Sequence, residues 1–179
     1  MLPLLLASSV AHAVAFGPSV LVGAVITLPV SSSTLELAPG AGPLGELQFE
    51  LGERFIHSFV LQYSTVGITS NAGSSSELSF RQTLTCGGYR FSFDLFGRQG
   101  KPPVSPYIGV GTLFGLGSTD LLGSTGVVAT GASLTLEFDA LLGLHWRLAE
   151  HFGLRGELGV SSYGGLGAVQ PRVGGYASF

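Results

Sequence analysis

The chain has 179 residues, of which only 11% are charged and 45% hydrophobic, with a formal net charge of −3. That balance excludes a soluble domain with an ordinary charged exterior and offers no basic patch for nucleic acid. No internal run of about 18 apolar residues supplies a membrane-crossing helix.

Residues 1–13 are apolar and end in Ala11-His12-Ala13, an A-x-A triplet of the kind signal peptidase cuts, although a basic start is missing. They are read as a signal peptide, truncated at its beginning, or else as a plain apolar terminus. Residues 14–179 are then one domain. Residues 19–30 form a first strand whose facing is open, since Val20, Val22, Ala24, Ile26 and Leu28 alternate with Leu21, Gly23, Val25 and Thr27. The Ser, Gly and Pro of residues 31–43 predict a loop. Leu47, Phe49 and Leu51 alternate with Glu46, Gln48 and Glu50 in a second strand, residues 53–57 reverse the chain, and Phe59, Leu61 and Tyr63 mark a third.

Residues 66–76, uncharged and small, predict a second loop. In residues 77–96 the apolar parity changes between Leu78, Phe80, Leu84 and Tyr89, Phe91, Phe93. Gly87-Gly88 sits at the slip, which predicts a glycine bulge in one long fourth strand. Residues 97–105 turn. Ile108, Val110, Thr112, Phe114 and Leu116 face one way in the fifth strand, with Tyr107 and Leu113 behind them, and residues 117–126 are predicted as a third loop.

The segment 133–161 decides the architecture. Every second residue from Leu134 to Leu148 is apolar, and Glu137, Asp139, His145 and Arg147 fall in between. A strand gathers those four on one face, whereas a helix would scatter them. After a turn at 148–151, Phe152, Leu154, Leu158 and Val160 resume the apolar face and Arg155 and Glu157 the polar one. Residues 163–168 loop, and 169–179 close the chain. Charges opposite leucines, in a chain with few charges, place the apolar face outside. The expected fold is all-β: an eight-stranded antiparallel up-and-down transmembrane β-barrel, the form of strand that satisfies its backbone in lipid. A lipocalin-like barrel, polar outside and apolar within, fits these faces less well.

The strings at 105–117 and 145–162 and the terminal residues 172–179 resemble the bacterial outer-membrane β-barrel superfamily of the OmpA/OmpX kind. Arg172, Gly174, Ala177 and Phe179 are similar to its assembly signal, Ala177 being a small residue where a larger hydrophobe is usual. The resemblance implies a cell outer membrane location in a Gram-negative bacterium, and the even strand count with its alternation of longer loops and short turns suits both termini being periplasmic. It also implies contact with outer-membrane lipid and lipopolysaccharide, insertion by the barrel-assembly machinery, and a monomer.

The expected lumen network comprises Glu46, Glu50, Asp94, Glu137, Asp139 and Glu157 against Arg81, Arg90, Arg147, Arg155 and Arg172, with His145. An eight-stranded barrel is just wide enough for side chains to fill, and arginine suits bidentate pairing in a confined space. The expected role is therefore structural or surface-interactive, with the lumen plugged by ion pairs. A narrow channel for small solutes or ions is the first alternative and a lipid-modifying enzyme the second. The enzyme would need a histidine and serine together on the exterior, and the position two before Ser70 is Ile68. His57 is expected at the opposite end, in a short turn. No catalytic, metal or cofactor site is expected, and lone Cys86 reads as a small hydrophobe on the apolar face.

Overall fold

The structure, a computed structural model, describes residues 17–30, 35–51, 54–70, 77–96, 103–124, 126–163 and 166–179. The expected signal segment 1–13 lies outside them. The strands are β1 (Gly17–Pro29), β2 (Leu35–Ala38), β3 (Gly40–Leu51), β4 (Phe55–Ser70), β5 (Leu78–Asp94), β6 (Val104–Gly123), β7 (Gly126–Arg147), β8 (Phe152–Tyr163) and β9 (Leu166–Ser178). All ladders are antiparallel, in the order β2-β4-β3-β1-β9-β8-β7-β6-β5, and the further pairing of β4 with β5 joins the ends into a ring. β2 and β3 pair along the same neighbour, β4, and form one interrupted stave, so the ring has the eight expected staves.

The facing follows period-two chemistry. In β7, Leu134, Leu136, Phe138, Leu142, Leu144 and Trp146 are exposed, while Glu137, Asp139 and Leu141 are buried. β1 resolves the same way: Val20, Val22 and Ile26 point out, and Leu21, Val25 and Thr27 point in. Lipid is the one solvent in which such an exterior is stable, because each exposed leucine would otherwise sacrifice on the order of 1.5 to 3 kcal/mol in water. Phe55, Trp146 and Phe152 mark one rim of the apolar band, where aromatic rings sit at a membrane interface.

Several sequence expectations are corrected. Among the described residues the predicted loops are largely strand: β2 and β3 occupy most of 31–43, β4 runs to Ser70, and β6 and β7 stay paired to Gly123↔Gly126, while 71–76 of the second loop lie outside the described residues. Small, β-branched and hydroxyl residues carry these extensions without the apolar alternation that marks a buried face. Gly126, at φ 126°, adopts the left-handed backbone the turn requires.

There is no bulge at Gly87-Gly88, where both ladders of β5 run on in register. The irregularity lies between Leu121 and Leu122, opposite β7 near the hairpin tip. Leu84 and Cys86 therefore point inward, and Arg81 is exposed on the outside, beside Asp120 in register. The parity change in the sequence records an apolar section of the lumen rather than a slipped strand. His57 stands in β4, not in a turn, and its Nδ1 meets the Tyr89 hydroxyl on the outer face.

The barrel wall is uneven. β4 to β7 rise together past the end of β8, whose ladder with β7 stops at Asp139↔Ser161, while β6 and β7 stay paired to Gly123↔Gly126. Residues 17 and 178 lie at the opposite end, with the Leu51↔Phe55 pair of β3 and β4 and the turn at 148–151.

Candidate functional site: an ion-paired lumen

The centre of the lumen holds a compact set of three arginines and three carboxylates, Arg90, Arg155 and Arg172 with Glu46, Asp139 and Glu157. Arg90, from β5, donates to Asp139 Oδ2 through Nε at 3.0 Å and Nη2 at 2.7 Å, and through Nη1 to Glu46. Arg155, from β8, donates through Nη1 to Glu46 Oε2 at 2.8 Å and pairs with Glu157 two residues along the same face. Arg172, from β9, donates through Nη2 to Asp139 Oδ1 at 2.9 Å and lies 3.5 Å from Glu157 Oε2. Each carboxylate is thus shared between arginines, the charges cancel within the cluster, and its side chains are at most 2% exposed.

Neutral groups extend the network to the wall. Tyr107 donates to Glu157 Oε1 at 2.5 Å and accepts from Arg155 Nε. Gln48 donates to Glu46 at 3.0 Å and accepts from Ser19, while Gln170 accepts from Arg172 at 2.6 Å and donates to Thr27. Side chains from β1, β3, β5, β6, β7, β8 and β9 therefore take part. Glycine makes room for this: a Cβ on Gly143 would stand 2.2 Å from Tyr107 Cζ, and one on Gly153 would stand 2.4 Å from Tyr176 Cζ. Each tyrosine ring covers the glycine opposite it on the neighbouring strand, a pairing that locks register.

The other expected lumen residues are distributed around this centre. Glu137 is buried and accepts from Thr135 Oγ1 at 3.2 Å. Asp94 sits near the short-turn rim, where it accepts from Ser105 Oγ at 2.5 Å and the Phe96 amide at 3.0 Å. Glu50 is buried on the same face of β3. His145 tilts between the rings of Tyr107 and Tyr176. Arg147 is half-buried at the rim and joins no ion pair among the described residues, and Arg81 is outside altogether. Of the terminal residues, Arg172 belongs to the central cluster, Gly174 packs against Leu21 and β1, and Phe179 is exposed at the rim.

An apolar cluster adjoins the charges inside the barrel: Leu21, Leu44, Val60, Val66, Leu84, Cys86, Leu113 and Ala168. Sequence reasoning missed it because lumen was equated with polar. Its Leu113 is placed inward by the sequence pattern; the further signal is in Leu84 and Cys86, whose parity is that of Arg90. Among Leu21, Leu44, Glu46, Arg155, Glu157 and Arg172 no space remains for a water molecule.

No protein-family model and no curated protein sequence matches the chain. Solved structures do match. OprG of Pseudomonas aeruginosa aligns with a TM-score of 0.67 at 11% identity, over 92% of this chain and 96% of that one. Ail, the attachment invasion locus protein of Yersinia pestis, in complex with the heparin analogue sucrose octasulfate, aligns at 0.60 and 12% identity, over 92% and 99%. Neisserial surface protein A aligns at 0.54 and 14%, over 92% and 97%. With its ring of antiparallel staves, apolar exterior and polar lumen, the chain has the fold of the eight-stranded outer-membrane β-barrels.

Proposed function

We propose that this protein is a structural and surface-interacting barrel of the bacterial outer membrane, closed to solutes, with no catalytic role, whose working surface is the tall rim formed by β4 to β7. The observation that carries the reading is the central cluster. Arg90, Arg155 and Arg172 bind across the lumen to carboxylates on other staves, so a solute path requires several buried ion pairs to separate at once. Each separation would leave opposite charges in a low-dielectric setting, which makes concerted opening costly.

In this reading both termini and the short turns face the periplasm and the tall rim faces outward. The apolar band contacts lipid, with lipopolysaccharide around the outer half. The chain is inserted by the barrel-assembly machinery and works as a monomer. Ail is a neighbour of the same fold solved with a heparin analogue, but a polyanion is not the ligand favoured here. The described rim carries Glu36, Glu77 and Asp120 against Arg81.

Two measurements test the reading together. Liposomes containing the protein should swell in small sugars no faster than empty ones, and bacteria expressing it should attach to coated surfaces or host cells more than bacteria lacking it. Fast swelling at neutral pH would put a channel in its place.

A further inference from the structure

Beside the short-turn rim, the outer faces of β4 and β5 carry a patch of aromatic rings in mutual contact. Phe55 lies 5.7 Å from Phe91 and 5.6 Å from Phe93, His57 lies 5.3 Å from Phe91, and Phe59 lies 5.9 Å from Tyr89, centroid to centroid. Two polar features interrupt this hydrocarbon surface. At the rim, Arg54 stands just before β4, where its carbonyl accepts from the Asp94 amide at 2.8 Å, and its guanidinium rests over the Phe93 ring at 5.8 Å. Among the described residues no carboxylate pairs with it. Two residues beyond Phe55, roughly 5 Å deeper at the strand rise and tilt of such barrels, His57 Nδ1 and the Tyr89 hydroxyl bond to each other. With the phenol donating, the neutral imidazole keeps its proton on Nε2, a donor for which no described residue supplies an acceptor.

The same rings border a groove. Ala140 is the one small residue in the outward row of β7 from Leu134 to Trp146. Where it falls, the lipid face is hollowed: Phe91, Phe93, Ile108, Val110 and Ala140 line a space of about 350 Å³, which continues past Val110 and Ala140 to Val160. Phe93 thus touches both the cation and the groove, and Phe91 both the histidine and the groove.

We infer that this face binds one phospholipid of the periplasmic leaflet, its phosphate on Arg54, an ester carbonyl on His57 Nε2 and an acyl chain in the groove over Ala140. The inference goes beyond the surface role and depends on the orientation proposed above, with the short turns periplasmic. Charge selects the occupant. An unpaired guanidinium at headgroup depth favours a phosphate, and a phospholipid is the molecule that joins a phosphate to acyl chains there. A headgroup of net negative charge, as in phosphatidylglycerol, should bind better than zwitterionic phosphatidylcholine, because the patch brings a cation and no described anion. A second copy related by a two-fold axis would bring its own Arg54 to the same place, like charge against like.

The test uses the full barrel in phosphatidylcholine vesicles with a trace of phosphatidylglycerol carrying a photoreactive diazirine in one acyl chain, and maps labelled residues by mass spectrometry. Labelling is expected to concentrate on Val110 and Ala140 over the opposite wall at Val22 and Val173, which are equally open to lipid. Arg54→Gln should lower labelling of the groove about fivefold, the worth of one cation at an anionic surface, and Arg54→Lys should retain it. Ala140→Leu fills the groove from the lipid side and should abolish the concentration of label. A photoreactive phosphatidylcholine should label the two walls nearly alike. Even labelling by phosphatidylglycerol, or labelling unchanged in Arg54→Gln and Ala140→Leu, overturns the inference and leaves an ordinary lipid annulus. Native mass spectrometry should find one retained phosphatidylglycerol per barrel, whereas barrel dimers that exclude it would give the groove to a second copy instead. The two leaflets of the vesicles are alike, so these arms hold in either orientation. An impermeant maleimide that labels Glu150→Cys from outside intact cells would refute the orientation, and with it the choice of leaflet, independently of the groove.

Discussion

Replacing Arg90 by methionine keeps most of the side-chain volume and removes the one guanidinium that touches Glu46, Asp139 and Glu157 together. Removing one member of a buried pair commonly costs about 3 to 5 kcal/mol, because the partner is left charged and unsolvated. Here the loss is softened on both sides. Glu46 keeps Arg155 at 2.8 Å, Asp139 keeps Arg172 at 2.9 Å and Glu157 keeps both Arg155 and Arg172, so each abandoned carboxylate retains at least one cation. The expected destabilisation is therefore at the lower end, about 2 to 4 kcal/mol. It should be non-additive with Asp139→Asn, since both changes act on one network, and a coupling on the order of 1 kcal/mol or more is expected in a double-mutant cycle. Urea unfolding and refolding in lipid vesicles measures all three variants, with Arg81→Met as the comparison. Arg81 is exposed outside the barrel and should cost at most about 0.5 kcal/mol. If Arg90→Met and Arg81→Met behave alike, or if the cycle shows no coupling, the cluster does not hold the wall together.

Further outcomes follow from the facing of single residues. Leu142, 56% exposed on the lipid face, should lose about 2 to 4 kcal/mol on replacement by arginine near the midplane; its inward neighbour Leu141 should lose less in the same titration, and equal losses would refute the assigned facing. Gly143→Ala places a methyl against the Tyr107 ring and should destabilise by about 1 to 3 kcal/mol through overpacking. That penalty should largely vanish in a Tyr107→Ala background, and its persistence there would show that the contact is not the cause. Cys86, 1% exposed inside the apolar cluster, should resist a charged maleimide in vesicles and react fully in urea; rapid labelling of the folded barrel would mean that water reaches this part of the lumen.

The sequence alone determined the class of fold and the inside-out sense of the barrel. The reason is local: in a strand, facing is a matter of parity, and from Leu134 to Leu148 one parity is hydrocarbon while the other holds Glu137, Asp139, His145 and Arg147. The same rule placed Arg90, Arg155, Arg172, Glu46, Asp139 and Glu157 within one lumen, since only their face had to be known. Parity carries no information on height, register or partner. Which arginine meets which carboxylate depends on ladders such as Glu46↔Val60 and Arg90↔Gly111, set by strands far apart in the chain. That is why Arg147 and Asp94, equally inward by pattern, stand at the rim while Arg90 sits at the centre. Parity also misled where the lumen turns apolar. Leu84 and Cys86 share the inward face with Arg90, and only packing against Val60, Val66 and Leu113 from other staves makes that face stable without charge. The long hairpin of β6 and β7 was hidden for a related reason. Its residues meet solvent on both faces, so no alternation was imposed on them, and they are held as strand by main-chain pairing that only the assembled sheet provides.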